Sequence, residues 1–235
     1  MLQGFYKVWF QLNDAPGRSV MYVHAGKMLG GNSSFAHIGT FYESGGEYVA
    51  EVRTERHHTV PNYRPLAGSD AATLQLRGRA DGDLVRFEGT LVEFPGSVFQ
   101  AIMTPINDEI PPAVATGGEG GIVNGLYAVE MRLLDGLDDN GLSGVMLLND
   151  GRILGGDAFF YYIGSYTSAH GRWKGEMLNQ EHTPARGNVP IFGGHEVGIG
   201  FSGSCDQNGA RLEATALAGK RSLRLTADLK LVRPA

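Results

Sequence analysis

Residues Gly4–Leu12 read GFYKVWFQL, and residues Gly125–Leu133 read GLYAVEMRL. Each stretch opens with Gly-x-Tyr and then alternates apolar and mixed positions, at a separation of 121 residues. After a loop four residues longer in the second copy the separation becomes 125. From there Val20–Ser97 aligns with Val145–Ser222 without a gap, and 20 of the 78 positions are identical. The matches include Gly30-Gly31 with Gly155-Gly156, Ile38-Gly39 with Ile163-Gly164, Glu51 with Glu176, and His57 with His182. Self-similarity at a fixed period is how a repeated supersecondary unit shows itself, and at this length it is a duplicated domain. Between the copies NDEIPPAVATGGEGGIVN carries two prolines, four glycines and no strand-length apolar run, as a linker would. Residues 1–106 are therefore expected to form a first domain, 107–124 a linker and 125–235 a second domain.

Within each copy the apolar period is two. Tyr6, Val8, Phe10 and Leu12 share one face, while Phe5, Lys7, Trp9 and Gln11 share the other. Their partners Tyr127, Val129, Met131 and Leu133 keep the same phase, which marks the inward face of a strand. The same test places Tyr48, Leu76 and Phe87 inward in the first copy, and Trp173, Phe201 and Leu212 inward in the second. Gly45-Gly46, Asp81-Gly82, Asp150-Gly151 and Asn208-Gly209 supply hairpin turns at close spacing. No segment holds a helical period over three capped turns. About eight strands per copy are expected, in an all-β chain of two tandem antiparallel β-barrels, because closing each meander removes its exposed edges.

Composition bounds the function. Hydrophobic residues at 42% against charged residues at 19% exclude a disordered chain. A net charge of −5 opposes binding to nucleic acid through bulk electrostatics. Cys205 is the single cysteine, so an intrachain disulfide and a multi-cysteine zinc site are excluded. The chain shows neither a basic segment followed by an apolar run at its start nor 18 consecutive apolar residues. A soluble cytoplasmic protein that contacts neither nucleic acid nor membrane is expected.

Residue types that carry chemistry are present but scattered. His57, His58 and His182 end equivalent strands at no zinc-ligand spacing, and a strand-end histidine ordinarily bonds the backbone. Glu51 and Glu176 fall on the outward face. Cys205 has no neighbouring histidine to activate it and reads as a small buried or turn residue. The Gly-Gly pairs do not open a helix, as a phosphate cradle requires. Without a clustered nucleophile, base or metal motif the chain is expected not to be an enzyme and to need no cofactor.

The most informative local stretch is RILGGDAFFYYIGSY, Arg152–Tyr166, with its weaker copy KMLGGNSSFAHIGTF, Lys27–Phe41. Its glycine pair suits a turn with positive φ, and Gly164 is expected to leave room for a neighbouring aromatic ring. Together with the opening Gly-x-Tyr strand, this pattern resembles the GrlR family, negative regulators of type III secretion with lipocalin-like barrels. Gly155-Gly156-Asp157 and Tyr162-x-Gly164 carry the resemblance; Asn32 and His37 stand at the Asp and Tyr positions of the first copy. Where the family carries a short acidic run, this chain has Glu43–Glu47 and Ser168–Arg172. The resemblance implies a dimer-like pair of barrels, here within one chain, that takes part in transcription regulation by binding a protein partner, a transcriptional activator.

Two readings follow. In the first, the chain is a regulatory adaptor and its interface candidates are Phe5 and Trp9, large side chains on the outward face of the first strand. In the alternative, it carries a small apolar ligand inside the second barrel, lined by Trp173, Met177, Ile199 and Phe201. There the small residues Gly175, Ala210, Ala214 and Ala216 would leave a void.

Overall fold

Alternating strands need a closed partner set, and the computed structural model provides it twice. It describes residues 2–59, 65, 67–114, 119–134, 141–184 and 196–235. The first barrel runs β1 (Gly4–Leu12), β2 (Ala15–His24), β3 (Lys27–Gly31), β4 (Phe35–Ser44), β5 (Glu47–Arg56), β6 (Ala71–Asp81), β7 (Leu84–Leu91) and β8 (Phe99–Pro105). The second runs β9 (Gly125–Leu133), β10 (Leu142–Asn149), β11 (Arg152–Gly156), β12 (Phe160–Ala169), β13 (Arg172–Glu181), β14 (Glu196–Cys205), β15 (Gly209–Ala218) and β16 (Arg221–Pro234). Every neighbouring pair is antiparallel and consecutive in sequence, and each meander closes on itself, β8 on β1 and β16 on β9. Two closed eight-stranded barrels in tandem are thus the fold.

The two-residue turns are what let the strands reverse so tightly. Asp150 and Gly151 sit at φ 49° and 76°, and Ala25 and Gly26 at 50° and 78°, the doubly left-handed geometry whose twist matches flanking strands. Gly39 and Gly164 serve a purpose other than the one their sequence context suggests. A Cβ on Gly39 would stand 2.6 Å from the Glu51 carbonyl oxygen, and one on Gly164 would collide with that of Glu176. The neighbour that demands glycine is therefore the backbone of the next strand rather than an aromatic ring. Rings do lie over other glycines, Phe87 over Gly78 and Phe201 over Gly175.

The chain divides into Met1–Asp108 and Glu109–Ala235, each with its own core. Tyr6, Leu76 and Phe87 lie in the first core with Tyr48 packed against it, while Tyr127, Trp173, Phe201 and Leu212 lie in the second. The opening tyrosines act alike. Tyr6 donates its hydroxyl proton to the Gln3 carbonyl at 2.9 Å and Tyr127 to the Val123 carbonyl at 2.6 Å, so each buries a ring without orphaning its polar end. Part of the stretch read as a linker dresses the second barrel. Ile122 enters its core, the Ile122 N–H donates to Ser168 Oγ at 3.2 Å, and the Glu119 and Gly120 carbonyls accept from His170 and Gly171.

Candidate functional site

The glycine-pair motif is best understood by its hydrogen bonds. In the first copy Asn32 Oδ1 accepts from the N–H groups of Ser34 and Phe35, both at 3.0 Å, and Asn32 Nδ2 donates to the Arg18 carbonyl. In the second, Asp157 Oδ1 accepts from Phe159 and Phe160 at 2.7 and 2.9 Å. The repeated histidines fasten the same turns. His57 Nε2 meets the Asn32 carbonyl at 2.9 Å, and His182 Nε2 meets that of Asp157 at 3.4 Å. Among the described residues no group of three His, Cys, Asp or Glu side chains comes together to hold a metal. The motif therefore shapes the connection between the third and fourth strands of each copy.

Beside these turns the copies diverge. In the second, Tyr162 is buried and its hydroxyl hydrogen-bonds the Asp157 carboxyl; burial, against the pull of the Phe159 and Phe160 N–H groups, pushes that carboxyl up to about 6. In the first, the equivalent ring is His37, whose Nδ1 lies 3.1 Å from Thr54 Oγ1. Its Nε2 atom is buried and has no hydrogen-bond partner, although the residue as a whole is only partly buried. Burial, with His57 nearby, lowers this imidazole to about 4. A cavity of about 70 Å³ opens here, lined by Phe10, Leu12, Phe35, Leu74, Leu91 and Phe99 around His37, Asn32 and Thr54, with exposed Ser69 on its rim. This feature escaped the sequence reading, and its signal was the change of Tyr to His between the copies.

The residues nominated for an interior ligand site, Trp173, Met177, Ile199 and Phe201, are all buried in the core of the second barrel. The Trp173 and Phe201 centroids lie 4.6 Å apart, and Trp173 Nε1 donates to the Arg211 carbonyl at 3.1 Å. A Cβ on Gly175 would come within 2.7 Å of the Phe201 ring, so the small residue there is where a large ring goes. These four side chains are thus packed within that core. Cys205 is buried, and burial together with Asp206 raises its thiol. Glu51 and Glu176 are exposed, as strand alternation places them.

On the exterior of the first barrel, Phe5 is 3% exposed and Trp9 38%. Trp9 pairs with Ile102 on β8, Gln11 pairs with Gln100, and Asn13 exchanges hydrogen bonds with Val98. The outward side of the β1–β8 seam thus leads from Trp9 to Val98, 57% exposed, and onto the β7–β8 connection that carries Phe94, 54% exposed. The second copy bears Glu130 in place of Trp9 and Gly219 in place of Phe94. Where Asn13 N–H donates to the Val98 carbonyl, Leu134 N–H donates to that of Arg224, so Arg224 replaces Val98. The sister barrel folds with polar or absent side chains at these places, so the fold itself does not require the apolar ones.

No protein-family model matches the chain, and no curated protein matches it. A crystal structure from Bacteroides fragilis NCTC 9343, provisionally named an outer membrane protein, aligns over 97% of this chain and 96% of its own. Its sequence identity is 12% and its TM-score 0.24, which is too loose to carry an argument.

Proposed function

We propose that this chain is a non-enzymatic regulatory adaptor that binds a partner protein through the outside of its first barrel. The observation that carries this reading is the run of Trp9, Ile102, Val98 and Phe94, which the sister copy replaces with Glu130, Asp228, Arg224 and Gly219. Exposed aromatic anchors grouped on one side of a rigid scaffold are the usual material of a protein interface. The resemblance to the lipocalin-like GrlR regulators of type III secretion supports the same role, with a transcriptional activator as partner. A net charge of −5 suits a partner whose nucleic-acid-binding surface is basic. The exterior of β5–β7 is charged, with Glu51, Arg53, Arg77 and Glu88 exposed, which supports a barrel that faces water and not the apolar band of a membrane barrel.

The test uses the double variant Trp9→Glu, Phe94→Gly, which installs the residues of the second copy. Tagged wild type and variant are crosslinked in the native cell and their captured proteins identified. A transcriptional activator recovered with wild type and depleted at least tenfold with the variant is the expected result. Equal recovery from both, or capture of no regulator by wild type, overturns the reading.

A further inference from the structure

We propose that the outer face of the second barrel binds an extended acidic peptide segment of a partner protein, seating one carboxylate between Arg172 and Arg211 above the hydroxyl of Ser204. Two observations meet there. One is a trough of about 620 Å³ across β13, β14 and β15, whose charged lining is three cations, Arg172, Lys174 and Arg211, against the single carboxylate of Glu213. On a chain of net charge −5 this is a local reversal of sign. Among the described residues neither Arg172 nor Lys174 has an ion-pair partner, and Arg211 faces exposed Asp228 at 3.8 Å, beyond hydrogen-bond reach. The other observation is how the first barrel fills the equivalent place.

Strand alternation and register build the trough. Phe201 and Cys205 turn inward on β14, so Ser202 and Ser204 turn outward. Ser204 pairs with Arg172 on β13 and with Arg211 on β15, while Ser202 pairs with Lys174 and Glu213. A floor of short hydroxyl side chains is thereby walled by long charged ones. Strands two apart lie about 9–10 Å from each other, a gap that two arginine side chains can close over one carboxylate. Such a carboxylate accepts from both guanidiniums and still has room for a serine O–H.

The first barrel shows what occupant this chemistry takes. Its residues equivalent to Arg172, Ser202 and Ser204 are Glu47, Arg77 and Arg79. Arg79 Nε donates to Glu47 Oε1 at 2.8 Å and Arg77 Nη1 to Glu47 Oε2 at 3.1 Å, and the two guanidiniums hold that carboxyl below the usual carboxylate range. There the barrel supplies the carboxylate itself. In the second copy arginine stands where the acid stood and serine where the arginines stood, so the row Arg172, Ser204, Arg211 carries cations and no acid. An incoming acid restores what the first copy keeps. These side chains are all exposed, whereas a small-molecule site encloses most of its ligand. An extended segment lying along β14 fits instead, because its alternate side chains recur at about 6.6–6.8 Å, the spacing of the Ser204 and Ser202 rows. In the second row Glu213 opposes Lys174 across Ser202, which suits an uncharged polar side chain.

The experiment titrates the full-length protein with the peptide acetyl-Thr-Val-Glu-Val-Thr-amide while arginine Nε–H and backbone amide resonances are followed by proton–nitrogen correlation spectra. The expected result is a saturable shift at Arg172, Arg211 and the β14 amides, little response at Arg77 and Arg79, and binding at least fivefold weaker when glutamine replaces the glutamate. Acetate and inorganic phosphate, the free-ion arms, should bind at least fivefold more weakly than the peptide. The double variant Arg172→Glu, Ser204→Arg installs the residues of the first copy and should abolish the response with both barrels intact. Should it perturb the fold, Arg172→Gln provides the second variant, with at least fivefold weaker binding. Non-saturating shifts, equal affinity for the glutamine peptide, equal affinity for either free ion, an equal response at Arg77 and Arg79, or undiminished binding by a folded variant would each overturn the site. The trough and the adaptor surface lie on different barrels, so Trp9→Glu, Phe94→Gly should leave this binding unchanged, and either reading can fail without the other.

Discussion

His37 and Asp157 are both partly buried, and the same desolvation acts on them with opposite sign. Burial disfavours whichever form is charged, so the imidazole is lowered to about 4 and the carboxyl raised to about 6. For His37, the unfolded chain binds the proton more tightly, with an ordinary value of 6.5. Its contribution is fully present above pH 6.5 and is lost as pH falls to about 4. For Asp157, the folded chain holds the proton more tightly than the ordinary value of 3.8, so its contribution is present below that pH and lost as pH rises through about 6. Each swing is worth roughly 3 kcal/mol at about 1.4 kcal/mol per pH unit. Acidification from pH 7 to 4 is therefore expected to weaken the first barrel and strengthen the second. Amide hydrogen exchange on the full chain, corrected for intrinsic rates, reads each barrel separately. His37→Tyr should flatten the first response and Asp157→Asn the second; parallel responses in the two barrels would contradict the assignment.

At the level of strands and turns, the turn after β3 depends on a side chain standing in for a backbone partner. Asn32→Ala removes two accepted hydrogen bonds and one donated, and is expected to cost about 1–3 kcal/mol in urea unfolding. A loss under about 0.5 kcal/mol would show that solvent replaces those bonds. Strand identity and phase were readable in the sequence because an inward position must be apolar at every second residue, as in Tyr6, Val8, Phe10 and Leu12. The phase of a strand gives a side chain its face but not what lies over that face. Phe5 and Trp9 share the outward phase of β1, yet one is buried and the other exposed. Gly39 and Gly164 stood out in the repeat, but their tight approach to a neighbouring carbonyl depends on register across strands. Ile122 lay in a stretch whose prolines and glycines read as a linker, and only its docking against β12 revealed a core residue. The cavity at His37 is lined from six strands that only closure of the barrel brings together. Residue type alone records none of this.

At the scale of the molecule, duplication has produced two closed hydrogen-bond ladders and two separate hydrophobic cores on one chain. Each strand pairs with neighbours in its own barrel, so opening one ladder leaves the hydrogen bonds of the other ladder intact. Cooperative units in hydrogen exchange follow such contact boundaries. Phe87, 1% exposed in the first core, and Trp173, 2% exposed in the second, each report on one of the two units. Truncating either to Ala removes a large buried ring from a core that can relax only in part, and should cost roughly 3–5 kcal/mol. The expected pattern is selective. Phe87→Ala should lower protection across β1–β8 while β9–β16 hold theirs, and Trp173→Ala should do the reverse. Both outcomes are measured on the full chain, so neither needs an excised barrel to fold. If either truncation lowered protection in all sixteen strands alike, the two barrels would constitute one cooperative unit. The exchange of first-copy residues for second-copy ones at Trp9, Phe94 and His37 would then have to be judged against the stability of the entire chain, because a local change would no longer have a local cost.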